Sequence, residues 1–89
     1  MTYELSTQYD SRASFYGKAK VEEIGTTKKL VSYTTHVASI VRMGAQGSKA
    51  IVYGTYSQTT LRHIKEFLKQ NGFKAESGKQ IMADYGVKA

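Results

Sequence analysis

Arg62, Lys65 and Lys69 recur at intervals of three and four residues, and Lys74 follows a little further on. On a helix those intervals place cations on one side, where they would follow the phosphates of a nucleic acid or meet an acidic protein surface. The same spacing also describes a solvated helix face, with cations near the negative end of the helix dipole and an Arg62–Glu66 pair contributing roughly a few tenths of a kcal/mol. A second group, Tyr16, Lys18 and Lys20, alternates an aromatic ring with cations. On the exposed side of a strand it would stack a base and touch the adjoining phosphates. Tyrosine is frequent, with seven in the chain. Phenol rings are also ordinary cross-strand partners in small sheets, which is the simpler account of Tyr33, Tyr53 and Tyr56.

The chain offers little for catalysis or metal binding. His36 and His63 are its two imidazoles, and neither has a histidine or carboxylate at ligand spacing, whereas zinc takes three or four ligands. His63 is expected to border a buried helix stripe. Cysteine is absent, which removes disulfides, thiolate metal sites and a thiol nucleophile. The serines and threonines are accounted for by strands, turns and caps, with no base beside them. The segment GAQGSKA, 44–50, lacks phosphate-loop spacing and leads into a strand, whereas a phosphate cradle opens onto a helix N-terminus. No enzyme activity, metal or cofactor is expected.

Eighty-nine residues with 40% hydrophobic and 22% charged side chains are ordinary for one small globular domain spanning 1–89. The formal charge of +6 favours acidic partners. It is concentrated toward the C-terminal half, where residues 49–89 hold seven cations against three carboxylates. No apolar run approaches a membrane span and the N-terminus has no signal-peptide pattern, so a cytoplasmic protein without membrane contact is expected.

The surrounding pattern indicates the elements that must carry these groups. TYELS, 2–6, alternates weakly and fits a short strand. In 13–24, Phe15, Gly17, Ala19 and Val21 share one side and Tyr16, Lys18, Lys20 and Glu22 the other, which is strand alternation. GTTKK, 25–29, reads as a turn. A long β-rich run, 30–43, follows, with a bulge expected near Ala38 and Ser39 where the buried parity changes. A hairpin at 44–48 leads into a strand over 50–56. Ser57 then caps a helix over about 58–70 whose Leu61, Ile64, Phe67 and Leu68 form an apolar stripe, and Asn71-Gly72-Phe73 ends it. Ser77 and Gln80 open a second, shorter helix. The expected fold is α+β: an antiparallel meander of three to four strands, one main helix packed on one face, and a short C-terminal helix.

YDSRASFYGKAKV (9–21), LVSYTTHVASI (30–40) and YGTYSQTTLRHIKEFLKQNGFKA (53–75) resemble a group of small uncharacterised proteins encoded by phages and mobile elements of Gram-positive bacteria. The resemblance transfers no catalytic residue. It implies a non-enzymatic accessory protein that binds host machinery, a candidate inhibitor of CRISPR or another host defence, with a defence protein or nucleoprotein as partner. The positive charge argues against DNA mimicry and for grip on guide RNA, target DNA or an acidic effector face. Direct DNA or RNA binding is the second reading. Assembly through an open sheet edge, for example as a homodimer, is the third.

Overall fold

The computed structural model describes residues 1–11, 14–54 and 57–87. Ala13, Thr55, Tyr56 and Lys88, to which the sequence assigns strand positions or charge, lie outside these. Five strands form one antiparallel sheet in the order of the chain: β1 (Thr2–Glu4), β2 (Ala19–Ile24), β3 (Thr27–Ser32), β4 (Thr35–Arg42) and β5 (Ser48–Val52). Two helices follow, α1 (Gln58–Gln70) and α2 (Gly78–Tyr85). The architecture is the expected α+β meander, with five strands where three to four were expected.

The additional strands have identifiable causes. The short N-terminal fragment does pair, with Tyr3 opposite Val21. The run 30–43 is two strands, because Tyr33 and Thr34 form a two-residue hairpin loop between the paired Ser32 and Thr35. Tyr33 occupies the first loop position with a φ of 58°. The preceding hairpin, between Ile24 and Thr27, has Gly25 at the same position, also at 58°. A bulge falls one residue from the expected place. Leu30 pairs with Ala38 and Val31 with His36, so Val37 is the extra residue and both Val37 and Ala38 are buried.

Further corrections concern the segment before β2. Phe15 is buried as the alternation requires, but the strand begins only at Ala19. Tyr16 and Gly17 form a turn closed by the Lys18 amide donating to the Phe15 carbonyl at 3.0 Å. Tyr16 and Lys18 therefore precede the strand, and of the cationic alternation only Lys20 lies on it.

Ala19, Val21, Leu30, Ala38, Ile40, Ala50 and Val52 turn one side of the sheet into a core with Ile64, Phe67 and Leu68 of α1 and Ile81 of α2. α1 crosses along β3: Thr60 and His63 meet Ser32 at one end, and Asn71 meets Lys28 at the other. Its ends are set locally. The Ser57 hydroxyl accepts from the Thr60 amide, and the Gly72 and Phe73 amides donate to Lys69 and Leu68, the paired bonds that close a helix on a left-handed glycine. α2 opens with the Ser77 hydroxyl accepting from Gln80. Beyond it, Val87 donates to the Val52 carbonyl at 3.0 Å, so the chain runs briefly parallel to the outer edge of β5. Both helices occupy one side of the sheet, and among the described residues no helix covers the other.

Candidate functional site

The outer side of α1 is less cationic in effect than its composition. Arg62 reaches Asp10 at 3.4 Å rather than Glu66. Glu66 is 1% exposed. Its Oε1 accepts from the Tyr9 and Asp10 amides, both at 2.9 Å, and its Oε2 from Gln70 Nε2 at 2.7 Å. The carboxylate that sequence spacing assigned to a surface pair is thus the tie between α1 and the segment before β2. Lys74 has its own partner in Glu76 at 3.4 Å, both well exposed. Lys65 and Lys69 are half-buried beside a shallow depression shared with Tyr9, Asp10 and Arg62, and no ion pair engages either among the described residues.

The open side of the sheet presents a different set. Alternation and register place Lys20, Val31 and His36 in one row, Glu22, Lys29, Ser39 and Ile51 in the next, and Ile24, Thr27, Val41 and Lys49 in a third. Glu4 stands opposite Lys20 and Glu22 opposite Lys29. Acidic groups therefore lie toward the β1 edge, and the area from β3 to β5 is positive. Glu4 also has an internal role, its Oε1 accepting from the Gly17 amide at 2.8 Å.

Sequence reasoning missed a polar aromatic cluster on this side. His36 Nε2 lies 2.8 Å from Ser39 Oγ, and the Tyr53 hydroxyl donates to the same oxygen at 3.2 Å. The His36 and Tyr53 rings meet edge to face at 4.9 Å and cover Ser39, which is 3% exposed. That burial leaves the hydroxyl engaged by His36 and Tyr53 and closed to solvent. The signal was the bulge at Val37, which brings His36 and Ser39 to the same side.

At one end of the sheet the turns of Tyr16 and Tyr33 lie side by side, joined by the Tyr33 amide donating to the Lys18 carbonyl at 2.6 Å. These tyrosines are the non-glycine residues with positive φ among the described residues, at 53° and 58°. Each is held there. The Tyr16 amide donates to Ser14 Oγ at 2.8 Å, and Tyr33 is fixed by strand pairing on both sides. Behind Tyr33 sits His63, 1% exposed, its Nδ1 at 2.8 Å from Ser32 Oγ and its ring 5.9 Å from that of Tyr33 and 4.5 Å from that of Phe15. The structure therefore brings Tyr16, Lys18 and Lys20 to one end with Tyr33, and leaves Arg62, Lys65, Lys69 and Lys74 on a separate surface.

Among the described residues no three histidine or acidic side chains come together as a metal site, and no helix is long and apolar enough to cross a membrane. The chain belongs to a family of unknown function, DUF8033, whose model matches residues 3–83. No curated protein and no solved structure matches it.

Proposed function

We propose that this member of the family acts by binding, without a catalytic step, and that it takes a nucleic-acid strand, free or exposed within a host-defence nucleoprotein such as a CRISPR effector, in the host cytoplasm. The observation that carries this reading is the distribution of unpaired charge. Lys18, Lys20, Lys29 and Lys49 line the open side of the sheet and its tyrosine end, with no carboxylate in ion-pair contact among the described residues. On the α1 side, by contrast, Arg62 and Lys74 are engaged by Asp10 and Glu76, and only the half-buried Lys65 and Lys69 of that group lack an ion pair among the described residues. A sheet covered by helices on one side, with cations around Val31, Val41, Ile51, His36 and Tyr53 on the other, suits a strand whose phosphates run along lysines and whose bases lie on apolar and aromatic groups.

Fluorescence anisotropy with labelled oligonucleotides over a salt series tests the reading. Each phosphate neutralised on a single strand contributes a slope of about −0.7 in log affinity against log salt. Replacing Lys20, Lys29 and Lys49 together by Glu should weaken binding and reduce that slope by about 2. Replacing Lys65 and Lys69 by Glu should leave both nearly unchanged. The opposite outcome would move the nucleic-acid contact to α1. Lys65 and Lys69 there, without an ion pair among the described residues, favour a second reading, a grip on an acidic protein face. A host protein retained after nuclease treatment, with no affinity for naked nucleic acid, would favour that second reading also.

A further inference from the structure

The strongest unexplained feature of the molecule is a pair of bulky residues in a backbone conformation that suits glycine. A side chain with a Cβ is penalised in the left-handed region, and tyrosine is an uncommon occupant of it. The fold supplies its own comparison. The β2–β3 and β3–β4 hairpins have loops of the same length, and their first loop residues share a φ of 58°. One is Gly25 and the other Tyr33. At Tyr16 the turn has two successive positive φ values, 53° and 74° at Gly17, the setting that favours Asn-Gly. In neither case does the ring compensate by filling the core, since Tyr16 is 75% and Tyr33 53% exposed.

We propose that Tyr16 and Tyr33 form a stacking platform for unpaired bases, which gives the domain a preference for single-stranded over double-stranded nucleic acid. This rests on the nucleic-acid reading above and adds to it the class of strand and the residues that select it. The two turns are joined through the Lys18 carbonyl, so the rings project from adjacent points. Lys18, exposed in the segment between the Tyr16 turn and β2, and Lys20, exposed on the open side of β2, supply cations for the phosphates that flank a stacked base. A duplex keeps its bases stacked inside and offers these rings nothing, whereas every unpaired base has a π face. His63, buried against Ser32 and Phe15, backs Tyr33 from within, so that ring is braced on the protein side and open outward. Strain at an exposed aromatic is the observation, and a ligand that uses the ring is the explanation that fits it.

The test pairs a loss of binding with an unchanged or improved fold. Tyr16→Asn with Tyr33→Gly places residues suited to positive φ in both turns, and Tyr16→Phe with Tyr33→Phe keeps the rings. Affinity is measured for a fluorescein-labelled oligothymidylate and for a duplex, alongside a thermal melt. The Asn/Gly variant should melt no lower than the parent and lose about 5- to 150-fold in single-strand affinity per tyrosine, with duplex affinity unchanged. The Phe variant should bind as the parent does. The platform is overturned if the Asn/Gly variant binds the single strand like the parent, which leaves the nucleic-acid reading standing. It is equally overturned if that variant melts well below the parent, since the rings are then structural, or if the Phe variant loses as much affinity. A parent that binds neither probe removes the nucleic-acid reading and the platform with it.

Discussion

Glu66→Ala tests the arrangement on which the N-terminal segment depends. The carboxylate is 1% exposed and accepts three hydrogen bonds, two from the Tyr9 and Asp10 amides and one from Gln70. Hydrogen bonds to a charged group contribute about 1.5–3 kcal/mol each. The gross loss is reduced in two ways. Truncation removes the cost of keeping a charge out of water, and the loop amides can turn to solvent. A net destabilisation of about 2–4 kcal/mol is expected, a fall of about 8–30 °C in melting temperature for a domain of this size. Glu66→Gln should lose less, because its remaining oxygen can still serve both amides while its new amide group meets the Gln70 donor. Thermal unfolding followed by circular dichroism gives the magnitude, and hydrogen exchange should show the Tyr9 and Asp10 amides losing protection. A loss below about 0.5 kcal/mol, typical of a solvated surface residue, would refute the tie and return Glu66 to the surface role that its spacing suggests.

Other outcomes follow from the same geometry. Leu68 is fully buried in the core, so Leu68→Ala should cost about 2–5 kcal/mol, read as a lower urea midpoint at constant slope. Gly72→Ala isolates a backbone effect: φ is 83° and an added Cβ would meet nothing within 4 Å. It should cost about 1–2 kcal/mol through the left-handed conformation alone, and a variant as stable as the parent would argue against that helix end. The lysine-to-glutamate sets described above should differ in salt slope by about 2.

The legible parts of the sequence were those whose determinants are local. Ser57, the apolar spacing of Ile64, Phe67 and Leu68, and Asn71-Gly72-Phe73 fix α1 within a few residues of each position they govern, and the structure reproduces them. The turn at Tyr33-Thr34 was illegible because both residues favour strands and neither signals positive φ. Register with neighbouring strands imposes that turn, and register is a non-local property. The partner of Arg62 was misread for a similar reason. Helical spacing nominates Glu66, four residues on, but says nothing of Asp10, which lies 52 residues away in sequence. Once Asp10 takes the guanidinium, Glu66 serves the backbone of the segment carrying that same aspartate. The Ser39 cluster depended on the Val37 bulge, whose approximate place and change of buried face were visible but whose gathering of His36, Ser39 and Tyr53 was not.

Energetics sharpen the question posed by the left-handed tyrosines. At about 0.05–0.15 kcal/mol per residue, a domain of 89 residues has roughly 4–13 kcal/mol of stability. Two tyrosines at about 1–2 kcal/mol of backbone strain each are a substantial fraction of that. The chain has a less costly solution in the adjacent hairpin, where Gly25 makes a loop of the same length at the same φ. Retention of a ring at Tyr33 therefore calls for a compensating contact inside the fold or a use outside it. The inside candidate is His63, which braces the Tyr33 ring at 5.9 Å, a looser contact than its 4.5 Å packing on Phe15, and which leaves Tyr33 53% exposed. At Tyr16 the ring is 75% exposed, leaving little of its surface for internal packing. The balance of these terms is what the proposed use of both rings outside the fold would explain, with Lys18 exposed in the segment that joins their turns.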